Sequence, residues 1–481
     1  MSSLQDSPRT AAKISSLEKG STPLTRAAPV SKPALAVRVS RILTKIGINA
    51  KALTDRVAAN STASLAVRPG TRTPVVGVKK SQAFADHPAY ASILKTTAIS
   101  ERFNFSNPFY RRHDKNKGTA TWIDGRRFVN FASYDYLGLN GHPAVVAAAK
   151  SAIDEYGTSV SASRIVAGEI PLHAELERAL ADVYGTQSAL VFVSGHATNV
   201  FTVGTLLDSD DLVIYDELAH NSLIVGARLS GAHSFSFRHN DLAALEQLLE
   251  RERPRHRNVL IAVEGLYSMD GDTPDLPRLI ELKRRFGAWL MVDEAHALGV
   301  LGDRGLGSSE HWGIDPLDVD IWMGTLSKTL AGCGGFIAGS AELIEILKYR
   351  AAGMVYSVGM SPPLAAAALA ALKVMRAEPE RVARLRSNAQ LFLNEAKSHG
   401  LDTLSSQGYA VVPVLVGDII KAGRVTDLMY QQGINALPII YPAVPLKAAR
   451  LRFFITSGHT REELVNAAAT TAQQIRAASS K

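Results

Sequence analysis

Between residues 189 and 338 the chain repeats short, almost wholly apolar runs separated by stretches of helical periodicity, and this alternation constrains its fold more than any other feature. The runs lie at 189–193, 212–215, 259–263, 289–292, 321–323 and 336–338. A strand with one wet face alternates apolar and polar residues, whereas a strand covered on both faces is apolar throughout, as in a parallel sheet under helices. Segments 173–184 and 276–286 space their apolar residues as such covering helices would. The pattern predicts an α/β domain with a mostly parallel sheet, which places its ligand at the carboxyl ends of the strands.

Around this domain the composition changes. Residues 1–85 are rich in Ser, Ala, Thr and basic residues with scattered prolines, which predicts a largely disordered leader. Apolar periodicity within 36–60 predicts one amphipathic helix there, and the scarcity of acids resembles an organellar transit peptide. Segment 86–150 reads as an N-terminal arm, 151–362 as the large domain, and 363–399 as a helical bridge, alanine-rich and then charged. The remainder, 400–481, has strand-like runs at 411–416 and 451–455 and a closing helix from Arg461, as a smaller α+β domain would.

The net charge of +8 is concentrated in the leader. Residues 1–80 hold 14 Lys and Arg against three acids, Asp6, Glu18 and Asp55, which leaves 39 basic and 42 acidic residues for the rest. The body is close to neutral, so a nucleic-acid-binding catalytic domain is not expected. Cys333 is the single cysteine, which rules out an intrachain disulfide and fits a reducing compartment. No apolar run reaches the roughly 18 to 20 residues of a membrane span, and no secretory apolar segment opens the chain. A cytoplasmic protein is expected, or a mitochondrial one if the leader is a transit peptide.

Two motifs at the ends of apolar runs carry chemistry: Val-Asp-Glu-Ala-His at 292–296 and Gly-Thr-Leu-Ser-Lys at 324–328. Asp293 follows Trp-Leu-Met-Val, so its carboxylate emerges from a buried strand and needs a cationic partner; a helix cap or a buried ion pair would also satisfy it. Lys328 precedes the turn Gly332-Cys333-Gly334-Gly335, whose small residues let backbone approach a ligand. An amine, a carboxylate and the imidazole of His296 on neighbouring strand ends are the equipment for holding pyridoxal 5'-phosphate. Its aldehyde needs an amine for a Schiff base, and its pyridine nitrogen needs a carboxylate to stay protonated.

Taken in order, further motifs make the chain from about Phe131 to Ala477 resemble the α-oxoamine synthases, fold type I enzymes dependent on pyridoxal phosphate. These are Ser-Tyr-Asp-Tyr-Leu-Gly-Leu at 133–139, Ser-Gly-His-Ala-Thr-Asn at 194–199, Asp-Glu-Leu-Ala-His-Asn-Ser at 216–222, Glu-Gly-Leu-Tyr-Ser-Met-Asp-Gly-Asp at 264–272 and Ala-Arg-Leu-Arg at 449–452. The resemblance implies that Lys328 holds the cofactor aldehyde, Asp293 pairs with the pyridine nitrogen and His220 stacks on the ring. It places Ser268 and His296 near the ring hydroxyl, and gives the phosphate to Thr325 and the backbone amides of Gly195 and His196. Arg452 would bind the amino acid carboxylate through two parallel hydrogen bonds; otherwise it is a strand arginine in a surface ion pair. Two segments depart from the family pattern, Gly157-Thr-Ser-Val-Ser-Ala-Ser-Arg164 and Ser357-Val358-Gly359, in the regions expected to shape the acyl channel and the subunit contact.

The implied reaction joins an amino acid to an acyl thioester with loss of carbon dioxide, giving an α-amino ketone. Segment 133–138 points to a serine palmitoyltransferase-like enzyme of sphingolipid biosynthesis, joining L-serine to a long acyl thioester. An 8-amino-7-oxononanoate synthase-like or glycine C-acetyltransferase-like enzyme using alanine or glycine is the alternative. Residues 42–53 loosely resemble the first helix of an acyl carrier protein, which leaves both coenzyme A and a carrier protein open as donor. A homodimer is implied by resemblance alone. A non-catalytic partner subunit is disfavoured by the presence of Lys328, and a transcription regulator lacks the three helices its reading head needs. An ordinary aminotransferase differs in releasing neither carbon dioxide nor free thiol.

Overall fold

The computed structural model describes residues 83–479 except 104 and 442; the helix expected within 36–60 lies outside the described residues. After a helix at Pro88–Arg102, three short strands, β1 (Lys115–Lys117), β2 (Ala120–Ile123) and β3 (Arg126–Asn130), form an antiparallel meander where the sequence suggests only an arm. β1, KNK, is charged and exposed, β3, RRFVN, opens on two exposed arginines, and the buried β2, ATWI, is only four residues long, so no apolar run announces the meander.

Seven strands build the large sheet: β4 (Ser188–Phe192), β5 (Leu212–Asp216), β6 (His233–Phe237), β7 (Val259–Glu264), β8 (Trp289–Asp293), β9 (Ile321–Thr325) and β10 (Gly335–Gly339). Their order is β4-β10-β9-β8-β7-β5-β6. Only β10 runs antiparallel to its neighbours, β4 and β9; the other pairs are parallel. The double reversal around β10 leaves β4 and β9 pointing the same way, so six carboxyl ends share one edge of the sheet. Each predicted run overlaps an observed strand.

Successive residues of the central strands go to opposite faces, and both faces are covered. Leu290 and Val292 enter one apolar cluster while Met291 enters the other. Full burial contributes about 2 kcal/mol for each such side chain, which is why these strands tolerate no polar residue until their ends. The helix Leu276–Phe286 lies as its periodicity predicts, capped by the Asp275 side chain and ended by Gly287 in the left-handed region. The expected bridge is two helices, Pro362–Ala377 and Glu380–Ser398, separated at Glu378 and Pro379. Beyond them, β11 (Val411–Gly417), β13 (Leu437–Ile439) and β14 (Ala449–Phe454) make a small antiparallel sheet, and the two-residue β12 (Ile434–Asn435) pairs in parallel with β3. A helix at Arg461–Ser479 closes the described chain, and no described helix is long and apolar enough to cross a membrane.

Candidate active site

The shared edge of carboxyl ends opens on a cavity of about 370 Å³, and every site residue expected from the sequence lines it: Lys328, Asp293, His296, His220, Ser268, Thr325, Gly195, His196 and Arg452. They arrive from six different strands or the turns that follow them. β4 leads into Gly195 and His196, β5 into His220, β7 into Ser268, β8 supplies Asp293 and leads into His296, β9 supplies Thr325 and leads into Lys328, and β14 supplies Arg452.

One end of the cavity is a helix start. The helix Gly195–Leu206 is capped by Ser194, whose hydroxyl accepts from Ala197 N at 3.3 Å. A Cβ on residue 195 would stand 2.8 Å from Thr325 Oγ1, so a glycine is what lets this hydroxyl approach the first turn. Free backbone N–H groups and the helix dipole make such a point a site for an anion.

On the floor, the Asp293 carboxylate accepts from Asn199 Nδ2 at 2.8 Å and from Ala295 N at 2.9 Å. Glu264 is its register partner across β7 and β8, so both side chains leave the same face. Burial first, and then the neighbouring Asp293, push the Glu264 carboxyl up to about 8. Its Oε2 accepts from Ser268 N at 3.1 Å, while its Oε1 is buried without a partner. The Lys328 amine makes no hydrogen bond or ion pair among the described residues. Desolvation lowers it to about 8 against the opposing pull of Asp293 and Glu264, so roughly a tenth of it is neutral at pH 7, far more than of an ordinary lysine.

The histidines differ in their attachments. His296 is buried, its Nδ1 lies 2.6 Å from the Tyr136 hydroxyl, and its ring stacks near Phe454; burial holds it well below the usual imidazole range, hence neutral. His220 caps the helix Asn221–Ser230 and is also held low, chiefly by burial. Its ring approaches His196 edge-on at 6.2 Å.

Two arginines of β14 face opposite fates. Arg450 is in an ion pair with Asp270. Among the described residues Arg452 is in none: its Nη1 donates to the Ser268 carbonyl at 2.9 Å, its guanidinium lies 4.6 Å from the Phe454 ring centre, and its Nε is buried with no partner there. That open donor on a planar fork suits a ligand carboxylate. The surface ion pair considered from the sequence is therefore not where Arg452 lies.

Asn199, Glu264, Tyr134 and Tyr136 complete the site and had no role assigned from the sequence. Asn199 and Glu264 sit inside motifs already noted, but the Asp293 that each meets is on β8, distant in sequence, which local spacing does not reveal. The donor set fits pyridoxal phosphate: an unpaired amine, a carboxylate fixed to meet a protonated ring nitrogen, and a helix start beside a threonine hydroxyl.

The model of aminotransferase class I and II matches residues 126–470. The chain belongs to this family. As a family member it is 43% identical to the 8-amino-7-oxononanoate synthase of Methylobacterium sp. strain 4-46 over 352 residues, 72% of this chain and 87% of that protein. The enzyme of the same name from Beijerinckia indica is 39% identical over 358 residues, 74% of this chain and 91% of its own. Among solved structures, Sphingomonas wittichii serine palmitoyltransferase superposes with a TM-score of 0.79 at 27% identity, covering 83% of this chain and 100% of that one. The 8-amino-7-oxononanoate synthase of Francisella tularensis, at 24% identity and a TM-score of 0.64 over 73% of this chain and 98% of its own, shares the fold. The family member is thus an α-oxoamine synthase, an acyltransferase dependent on pyridoxal phosphate.

Proposed function

We propose that this enzyme condenses alanine with an acyl thioester that carries a distal carboxylate, as 8-amino-7-oxononanoate synthases do. The product in that name has a ketone beside an amine-bearing carbon that ends in a methyl group. Disconnecting the bond between those two carbons leaves alanine, less its carboxylate, and a dicarboxylic acyl group. Relatives of that name at about 40% identity support this reading over the serine palmitoyltransferase-like one expected from segment 133–138.

The observation that carries it is the convergence of Lys328, Asp293 and Arg452 on one cavity, with an unpaired atom on Lys328 and on Arg452. Bound pyridoxal phosphate supplies an electron sink for the carbanion formed at the amino acid α-carbon. Lys328, lowered towards neutrality, would hold the cofactor aldehyde, and its amine, when free, would be the base that takes the α-proton. Asp293, held in place by Asn199 and Ala295, keeps the ring nitrogen protonated. Thr325 and the helix start at Gly195 and His196 would hold the phosphate, Ser268 and His296 would border the ring hydroxyl, and His220 would cover the ring face, all of them lining the cavity. Arg452 binds the amino acid carboxylate, which leaves as carbon dioxide once the α-carbon has displaced the thiol from the acyl group. A homodimer is part of the proposal, with coenzyme A or a carrier protein as the thiol.

A second reading, serine with a long acyl thioester, is favoured by the superposition of serine palmitoyltransferase along its full length. The test is a cofactor absorbance shift for alanine, serine and glycine, followed by free-thiol release with dicarboxylic and long-chain acyl donors. Alanine with the dicarboxylic donor is expected to turn over fastest. Preference for serine with the long chain would transfer the assignment to the second reading.

A further inference from the structure

Behind His220 lies a chain of buried polar groups that fixes which of its ring nitrogens carries the proton. Asn199 is 1% and Ser222 0% exposed, so neither trades its partners for water. The Asp293 carboxylate only accepts, so the Asn199 atom at 2.8 Å from its Oδ2 is the amide nitrogen. That nitrogen also lies 2.9 Å from Ser222 Oγ and gives its second hydrogen there. The Ser222 hydroxyl therefore accepts from Asn199 and has its own proton for His220 Nδ1, 2.6 Å away. The backbone N–H of Ser222 points at the same Nδ1 from 3.4 Å, as the capping contact of the helix.

Two donors aimed at Nδ1 leave no room for a proton on it. The reverse arrangement would strand the Ser222 hydroxyl proton in a buried position and set two hydrogens against each other on Nδ1. Burial keeps the ring neutral against the attraction of Asp293, while Lys328, His196 and Arg452 oppose a positive charge from the cavity side.

We propose that Ser222 and Asn199 are positioning residues that hold His220 in its Nε2–H tautomer and so give the cavity a fixed hydrogen-bond donor. Because Asn199 serves Ser222 and Asp293 with one amide nitrogen, the orientation of that donor is tied to the carboxylate on the cavity floor. The acceptor it meets rests on the proposed function; the tautomer does not.

The test uses full-length holoenzyme with its 13 histidines labelled with nitrogen-15, and His220→Gln to assign the His220 signals. Near neutral pH the wild type is expected to show an unprotonated Nδ1 and a protonated Nε2. In Ser222→Ala the Nδ1-protonated form should appear, with turnover down about tenfold to a hundredfold and the cofactor absorbance retained. In Asn199→Ala both the tautomer and the cofactor affinity should change. A protonated Nδ1 in the wild type, or His220 signals unmoved by Ser222→Ala, overturns the proposal. If Ser222→Ala fails to fold, the wild-type spectrum decides alone. A failure of alanine or the thioester to react would strike the proposed function and leave the His220 signals as expected.

Discussion

Two groups of charged side chains stand on neighbouring strand ends and are built on opposite principles. Around His239 the partners are already in place: Nδ1 meets Asp216 and Nε2 meets Asp272, each at 2.9 Å, and the imidazole is pushed up to about 10 by these carboxylates in spite of its burial. In the cavity the partners are withheld. Among the described residues the Lys328 amine has no hydrogen bond or ion pair, and Arg452 Nε and Glu264 Oε1 are buried without a bond. The first group is a cation locked between anions, and it ties the loop carrying Asp272 to the end of β5. The second keeps its bonding capacity for a ligand, which is how a binding site differs from a structural ion cluster when both are half hidden.

Lys328→Ala should break the cavity side of the contrast most completely. Turnover should fall by about a thousandfold or more, with the aldehyde absorbance shifted, while thermal melting changes little; steady-state assays and absorbance spectra check this. His239→Gln tests the other side. Removing the cation leaves two facing carboxylates and should cost about 3 to 5 kcal/mol of stability, read by denaturant unfolding, with the amino acid still able to shift the cofactor spectrum. The sign with pH follows from the raised value. The stabilisation is complete below the unfolded histidine value of about 6.5 and is lost as pH rises through about 10, so the gap between wild type and variant should narrow over that window.

Smaller effects sharpen the comparison. Arg452→Lys keeps the charge but loses the planar fork, and should raise the amino acid KM about tenfold to a hundredfold with a lesser effect on kcat. Glu264→Gln should change turnover by less than about threefold below pH 7, because the carboxyl it replaces is already mostly uncharged there. The variant should also lose a spectral titration near 8.

What could be read from the sequence follows from the same physics. Strands covered on both faces announce themselves as apolar runs, and β7, β8 and β9 lie where those runs are. β6, one of the two edge strands, carries no such run because only its Phe237 is buried, and exposure likewise explains β1 and the two arginines that open β3. Lys328, Asp293 and Arg452 were legible from motifs. The contacts that tune them were not, since Glu264 meets Asp293 only through strand register and Tyr136 meets His296 across 160 residues of chain. Segment 133–138 suggests serine and the relatives' names favour the proposed alanine, a difference that arises because no local motif encodes the side chain of a substrate.

The central claim is that this cavity makes a carbon–carbon bond with loss of carbon dioxide. The most direct measurement incubates the holoenzyme with carboxyl-labelled alanine and a dicarboxylic acyl thioester and counts labelled carbon dioxide and free thiol. The account predicts equal release of both, abolished in Lys328→Ala. Transfer of the amine to a keto acid, with neither product formed, would contradict it.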